Sequence, residues 1–502
     1  MIQKLDAREA YRRVHGDSEI AFLDLREAGP FSERHPLFAV PAPYSRLETI
    51  VGHLVPRPDM PIILIDGGDG IAEAGAEILA SMGYSDIAVI AGGASAWANA
   101  GYRLFQGVNV PSKTLGELAE ARWHPKTIDA QTLKDWQKEG RKFTLLDCRP
   151  PDEYQKMTIP GAICLPNGES AHRLPAIAHD SPLVVTCAGR TRSIIGSLGL
   201  ARIAPDRDIY ALENGTQGWA LAGFDLDRGQ EPQDLPEITA DQAAETRRRA
   251  DTLLDDEGIP RINADDVRRL LDDATRSAFT FDLRSKEEAA ADPLPAFPHV
   301  WSGQLVQTTD RWIGVWRSRL VLADDLGLRA ALAAVWLSAL GFEVHVTQVD
   351  DRLRAIPAPP RPTAPPFAIT KIGAGDALRE TSKGRARLLD LRPSWEYASG
   401  HVATSIWAIR PKLAAWPGTD RLLLVGDKGS DAELGARELH RLGEKDLAIV
   451  EGGIQALRQA GALIEVAEPR PLGQAIDVIS FAHGRHEGDL DASRRYLSWE
   501  QG

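Results

Sequence analysis

The sequence predicts an α/β protein made of four tandem copies of one unit, each a parallel sheet with helices on both faces. Three observations carry this prediction. A short apolar run ending in Asp-x-Arg occurs four times, as FLDLRE (Phe22–Glu27), LLDCRP (Leu145–Pro150), TFDLRS (Thr280–Ser285) and LLDLRP (Leu388–Pro393). About 40 residues after each comes a second apolar run, at Ile62–Ile65, Leu183–Thr186, Leu320–Ala323 and Leu423–Gly426. Ala/Leu-rich helical stretches follow. Strands that alternate with helices in units of about 100 residues give a parallel sheet covered on both faces.

Taken in order, the repeats span 1–108, 122–229, 262–355 and 368–468, with a tail at 469–502. Each opening strand is an apolar run long enough for a strand buried on both faces. Each second strand ends at a loop that leads into a helix. A third strand follows, as in IAVI (Ile87–Ile90) and LAIV (Leu447–Val450). Three repeats then close on a Gly-containing turn and short helix: AGGASAWANAGY, ENGTQGWALAGF and EGGIQALRQAGA. The third repeat reads VTQVDDRLRAIP there instead and is the most degenerate. Between the second and third repeats, a charge-alternating segment predicts an exposed helix. A Pro-rich spacer, AIPAPPRPTAPPFA, precedes the fourth repeat. The tail does not fit the repeat.

The chain has 502 residues, too many for one hydrophobic core. Its formal net charge is −13, which argues against nucleic-acid partners and a basic membrane-surface role. The N-terminal MIQKLDAREAYRRV lacks the apolar stretch of a secretory signal, and no apolar run approaches a membrane span. Three cysteines cannot form a disulfide framework in a chain this long, so free thiols and a cytoplasmic location are expected.

The residue after the second strand separates the repeats. It is Asp66, Cys187, Asp324 and Asp427 in turn, so one copy carries a nucleophile and three carry a carboxylate. Cys187 is expected at the carboxyl end of a parallel strand, where open α/β sheets place their ligands. A tight loop opening onto a helix turns backbone N–H groups inward and stabilises an anion, which lowers the pKa of a thiol there. Arg190 and Arg192 add two positive charges suited to oxyanions. Cys148 and Cys164 lie in apolar surroundings and are expected to be plain core residues. Asp147, Arg149 and Glu153 are expected to form ion pairs that support the strand end. GGDG (Gly67–Gly70) lacks the Lys-Ser/Thr ending of a phosphate loop; no metal or cofactor site is assigned.

On the Asp147-x-Arg149 strand end, PDEYQKMTIPGAICLP, the CAGRTRS loop and ENGTQGWALAGF, the second repeat resembles the rhodanese sulfurtransferase family. RPSWEYASGHVATSIW in the fourth repeat carries the same pattern. The resemblance implies four tandem rhodanese-like domains, of which the one at 122–229 is catalytic. It implies that Cys187 carries sulfur as a persulfide, cradled by the N–H groups of Ala188, Gly189, Arg190, Thr191 and Arg192. It further implies thiosulfate or a related small anionic donor, and a thiol or cyanide acceptor. A relay or scaffold passing persulfide to a protein partner is the alternative. A cysteine phosphatase or arsenate reductase shares the fold but needs a wider loop: five residues after Cys187 the next position is Ser193, whereas Arg192 comes after four.

Overall fold

The computed structural model describes all residues except 1, 178–180, 416–420, 427–429, 468–474, 480–487 and 501–502. The chain forms two compact units. One comprises Met1–Gly16, Ala21–Leu104 and Arg361–Ser480; the other comprises Asp17–Ile20, Phe105–Pro360 and Phe481–Gly502. The first and fourth repeats therefore share one unit, and the second and third share the other.

In the first unit the leading repeat orders its parallel strands Gln3–Leu5, Ile87–Ile90, Ile62–Ile65, Ile20–Asp24 and Val40–Pro41. The fourth repeat has the same order: Lys371–Ile372, Leu447–Val450, Arg421–Val425, Ala386–Asp390 and Ile406–Trp407. Between them, Arg410 is buried and ion-paired to Glu48 and Glu438, and Tyr44 donates to Glu438 Oε2 at 2.6 Å.

In the second unit the sheet that carries Cys187 runs Thr127–Ile128, Ile209–Leu212, Leu183–Thr186, Thr144–Asp147 and Ile163–Cys164. The third repeat keeps four of these strands, as Arg261–Ile262, Glu343–Gln348, Arg319–Asp324 and Ala278–Asp282. At the position of the fifth strand it retains a single parallel bridge, Asp282 to His299. Every residue of Leu183–Thr186 is buried. A parallel strand covered on both faces has no solvent side, which is why its sequence is continuously apolar rather than alternating. The core beneath the site includes Leu133, Leu145, Tyr154, Val184, Leu212 and Trp219.

Three segments outside the repeat pattern form helices, and one of them is more buried than its sequence predicts. The joint after the first repeat is the helix Val110–Trp123, and it buries Lys113, Leu115, Gly116 and Ala119. A Cβ on Gly116 would stand 2.8 Å from Thr191 Cγ2, so glycine allows this helix to lie directly on the start of Thr191–Ile203. The charged segment predicted as exposed forms the helix Ala240–Asp256, closed by a Thr239/Gln242 capping box. That helix is only half exposed. It buries Thr246, Ala250, Leu253 and Leu254, because its apolar residues still recur at helical spacing among the charges. The tail contributes the helix Leu490–Glu500, which packs in the second unit. Among the described residues no helix is long and apolar enough to cross a membrane.

Candidate active site

Cys187 stands at the carboxyl end of Leu183–Thr186, and the loop after it enters the helix Thr191–Ile203. Arg190 occupies the N-cap without a side-chain cap bond, and the first ten residues of the helix are buried. The loop is fastened from the turn that begins the closing helix. Thr216 N donates to Cys187 O at 2.9 Å, and Gln217 N donates to Ala188 O at 3.1 Å. Gly215 makes this approach possible: its φ is +51°, and a Cβ there would meet Cys187 O at 2.2 Å. That is the local reason for the Asn-Gly in ENGTQGW.

Cys187 is 2% exposed, and its sulfur lies 3.7 Å from Ser193 Oγ, which donates to Arg190 O at 2.8 Å. Asp147 pairs with Thr186 across adjacent parallel strands, and Cys148 N donates to Thr186 O at 2.9 Å. Cys148 and Cys187, the next residue on each strand, thus come side by side. Burial pushes the Cys187 thiol up, and Glu500 also opposes its ionisation. The Cys148 thiol, the Arg192 charge and the Ser193 hydroxyl outweigh both and bring it down to about 7. Burial, with Cys187 beside it, drives the Cys148 thiol well above its ordinary range, and burial raises Cys164 to about 12. One of three thiols is therefore set to ionise near neutral pH.

The arginine side chains are not arranged as expected. The sequence offers Arg190 and Arg192 as two charges facing an anion, yet each is held by carboxylates. Arg192 makes a two-point pair with Glu153, at 2.7 and 2.8 Å. Arg190 pairs with Glu117 at 3.0 Å and with Glu120, both on Val110–Trp123. The linker helix thereby brings acid to the loop, which no local pattern around Cys187 announces. Arg190 N donates to Glu500 Oε2 at 2.7 Å.

Asp147 and Arg149 are fully buried and pair at 2.6 and 2.9 Å; Thr158 Oγ1 also donates to Asp147, and Arg149 to Met157 O. They pin the strand end to the segment that follows it, as do Asp24–Arg26, Asp282–Arg284 and Asp390–Arg392 in the other repeats. The recurrent Asp-x-Arg is thus a structural clamp common to all four copies.

The other loops show what replaces the cysteine. Asp66 accepts from the amides of Gly68, Gly70 and Ala72, at 2.8, 3.1 and 3.0 Å. Asp324 accepts from Asp325 N and Arg329 N, each at 2.9 Å, and from Arg329 Nε at 2.9 Å. Each carboxylate fills the anion seat of its own loop. Asp427 lies outside the described residues. His172, Asp324 and Asp325 bring potential ligand atoms within 4.8 Å of one another, but Arg329 already places its guanidinium on both carboxylates.

The rhodanese-like domain family matches residues 6–100, 129–222 and 374–460, more than half of the sequence. The chain belongs to the rhodanese-like family. Its fold matches a thiosulfate sulfurtransferase from Pseudomonas aeruginosa with a TM-score of 0.92 and 34% identity, covering 100% of this chain and 97% of that one. Single repeats resemble curated proteins. Over 94 residues the chain is 38% identical to an HTH-type transcriptional regulator of Mycobacterium tuberculosis, covering 18% of this chain and 41% of that protein. Over 96 residues it is 30% identical to the thiosulfate sulfurtransferase GlpE of Pseudoalteromonas translucida, covering 18% of this chain and 86% of that protein. This rhodanese-like chain therefore spans less than half of the regulator and most of the short sulfurtransferase.

Proposed function

We propose that this rhodanese-like protein is a sulfurtransferase that moves sulfane sulfur through a persulfide on Cys187. The observation that carries the reading is a single cysteine in the loop at the carboxyl end of a buried strand, where the corresponding position of the other repeats is Asp; its surroundings bring its pKa down to about 7. The likeness to proteins named thiosulfate sulfurtransferase supports thiosulfate as the donor. The Cys187 thiolate attacks the sulfane sulfur of thiosulfate. A new S–S bond forms, the donor S–S bond breaks, and sulfite leaves with its electron pair. An acceptor thiolate or cyanide then attacks the outer sulfur and releases the Cys187 thiolate. Cys148 lies beside that thiolate and favours it, and Arg192 supplies charge without leaving Glu153.

The reading assigns catalysis to the repeat at 122–229 and support to those at 1–108, 262–355 and 368–468. Asp66 and Asp324 cannot carry sulfur, and their carboxylates occupy the amides that would stabilise a persulfide. Three free thiols suit a reducing compartment, so the proposal places the protein in the cytoplasm.

Incubation with thiosulfate followed by intact-protein mass spectrometry should show one added sulfur atom, removed by cyanide. Cys187→Ser should take up none, and Cys164→Ser should load normally. Loading of Cys187→Ser to the wild-type level would overturn the reading.

A further inference from the structure

The helix Leu490–Glu500 reaches the persulfide loop. Glu500 is 4% exposed, and its Oε2 accepts from Arg190 N at 2.7 Å. A Cβ on Gly189 would stand 1.8 Å from that oxygen, so the carboxylate lies directly on the loop backbone at a residue without a side chain. Its other oxygen accepts from Tyr496 Oη at 2.7 Å. The helix is anchored next to it: Trp499 Nε1 donates to Gln106 O at 2.9 Å, and Lys113 Nζ sits over the Trp499 ring. Ala492, Ser493, Tyr496 and Leu497 are buried beneath.

The other repeats explain what this carboxylate resembles. In the loops of Asp66 and Asp324 a carboxylate from the loop itself takes the backbone amides. Cys187 cannot do this, and at its loop a carboxylate arrives from the C-terminal helix. Glu117, Glu120 and Glu500 together gather three negative charges around the single positive charge of Arg190. A donor whose oxyanion seeks the same amide meets an acceptor already in place and like charge around it.

We propose that Glu500 is a specificity-determining residue of the Cys187 site: its carboxylate holds the oxyanion seat on the loop, and an anionic sulfur donor must compete with it. The inference rests on the sulfurtransferase reading above. It gives the C-terminal helix a function that the repeat pattern does not supply. Glu500 sets how much thiosulfate is needed, and it does not take part in bond making.

The test is steady-state kinetics of the full chain with thiosulfate and cyanide, comparing wild type with Glu500→Gln and Glu500→Ala, each checked for an unchanged melting temperature. Glutamine keeps the shape and removes the charge. The expected result is a KM for thiosulfate lower by about tenfold in Glu500→Gln, with kcat within about twofold. Inhibition by the product oxyanion sulfite should tighten in parallel. A residue that only supports the fold would lower kcat and melting temperature and leave KM for the anion in place. An unchanged or raised KM in both variants, with Cys187 still loading, would overturn this inference and leave the sulfurtransferase reading intact. If neither wild type nor either variant loads sulfur on Cys187, the sulfurtransferase reading fails, and this inference fails with it.

Discussion

Cys148 and Cys187 follow paired positions on adjacent parallel strands, which sets the Cys148 thiol beside the Cys187 thiol, whose pKa it lowers. Cys148 is buried as its apolar surroundings in the sequence imply, and the strand register also makes it a neighbour of the Cys187 thiol.

Replacing the Cys148 thiol should make the Cys187 thiol a weaker acid. In Cys148→Ala the thiol beside Cys187 is lost with only a small change in volume. The Cys187 pKa should rise from about 7, and the pH profile of alkylation should move to higher pH. At pH 7 the alkylation rate should fall by roughly threefold to tenfold, with persulfide loading slowed to match. An unshifted profile would show that Cys148 is only packing.

Arg192 joins stability to reactivity. From the sequence alone, Arg192→Ala should weaken donor use and spare the fold. The two-point pair with Glu153, whose side chain is 20% exposed, changes that expectation. Removing Arg192 leaves a half-buried carboxylate, at a cost of about 1–3 kcal/mol once solvent screening is allowed for. The double variant Arg192→Ala/Glu153→Ala should recover much of the melting temperature. It should not restore the low Cys187 pKa, since the Arg192 charge is still missing. Recovery of both would place the whole effect in the fold.

Two glycines make a controlled comparison. Gly215 and Gly223 both have positive φ, +51° and +82°. A Cβ at Gly215 would meet Cys187 O at 2.2 Å, whereas Gly223 has nothing within 4 Å. Gly223→Ala should carry only the left-handed backbone cost, about 1 kcal/mol, and keep full turnover. Gly215→Ala should also displace the Cys187 loop and lower kcat by tenfold or more on the same assay. Equal effects on kcat would contradict the role given to the Gly215 contact.

His35 provides a pH prediction independent of catalysis. Burial lowers its pKa to about 4, and its Nδ1 bonds to Phe31 O at 3.0 Å. The unfolded chain binds this proton near 6.5, above the folded value. Between these two values the unfolded state holds more protons, so stability should fall as pH drops from about 6.5 toward 4. Denaturant titrations across that window should show the loss. NMR should find the His35 ring neutral at pH 5, and a ring that titrates near 6.5 would refute the assignment.

Much of this was legible in the chain. The fourfold Asp-x-Arg and the paired apolar runs specify the sheets, because a parallel strand buried on both faces leaves an unbroken apolar signature. The single Cys among Asp residues marks one loop as different, and the Asn-Gly of ENGTQGW marks a turn that only a missing Cβ permits. These are local requirements, met within a few residues, so the order of amino acids records them directly.

Tertiary structure decided the electrostatics of the site. Glu117 and Glu120 reach Arg190 from about 70 residues away, and Glu500 reaches the same loop from 310 residues away. Nothing in the spacing around Cys187 encodes them, because each arrives by packing a helix that lies outside the repeat. The strand register that sets Cys148 beside Cys187 is likewise a property of the assembled sheet. Charge acts through space over several ångströms without regard to chain order, so the sequence could single out the Cys187 loop while only the packed chain determined which groups surround it.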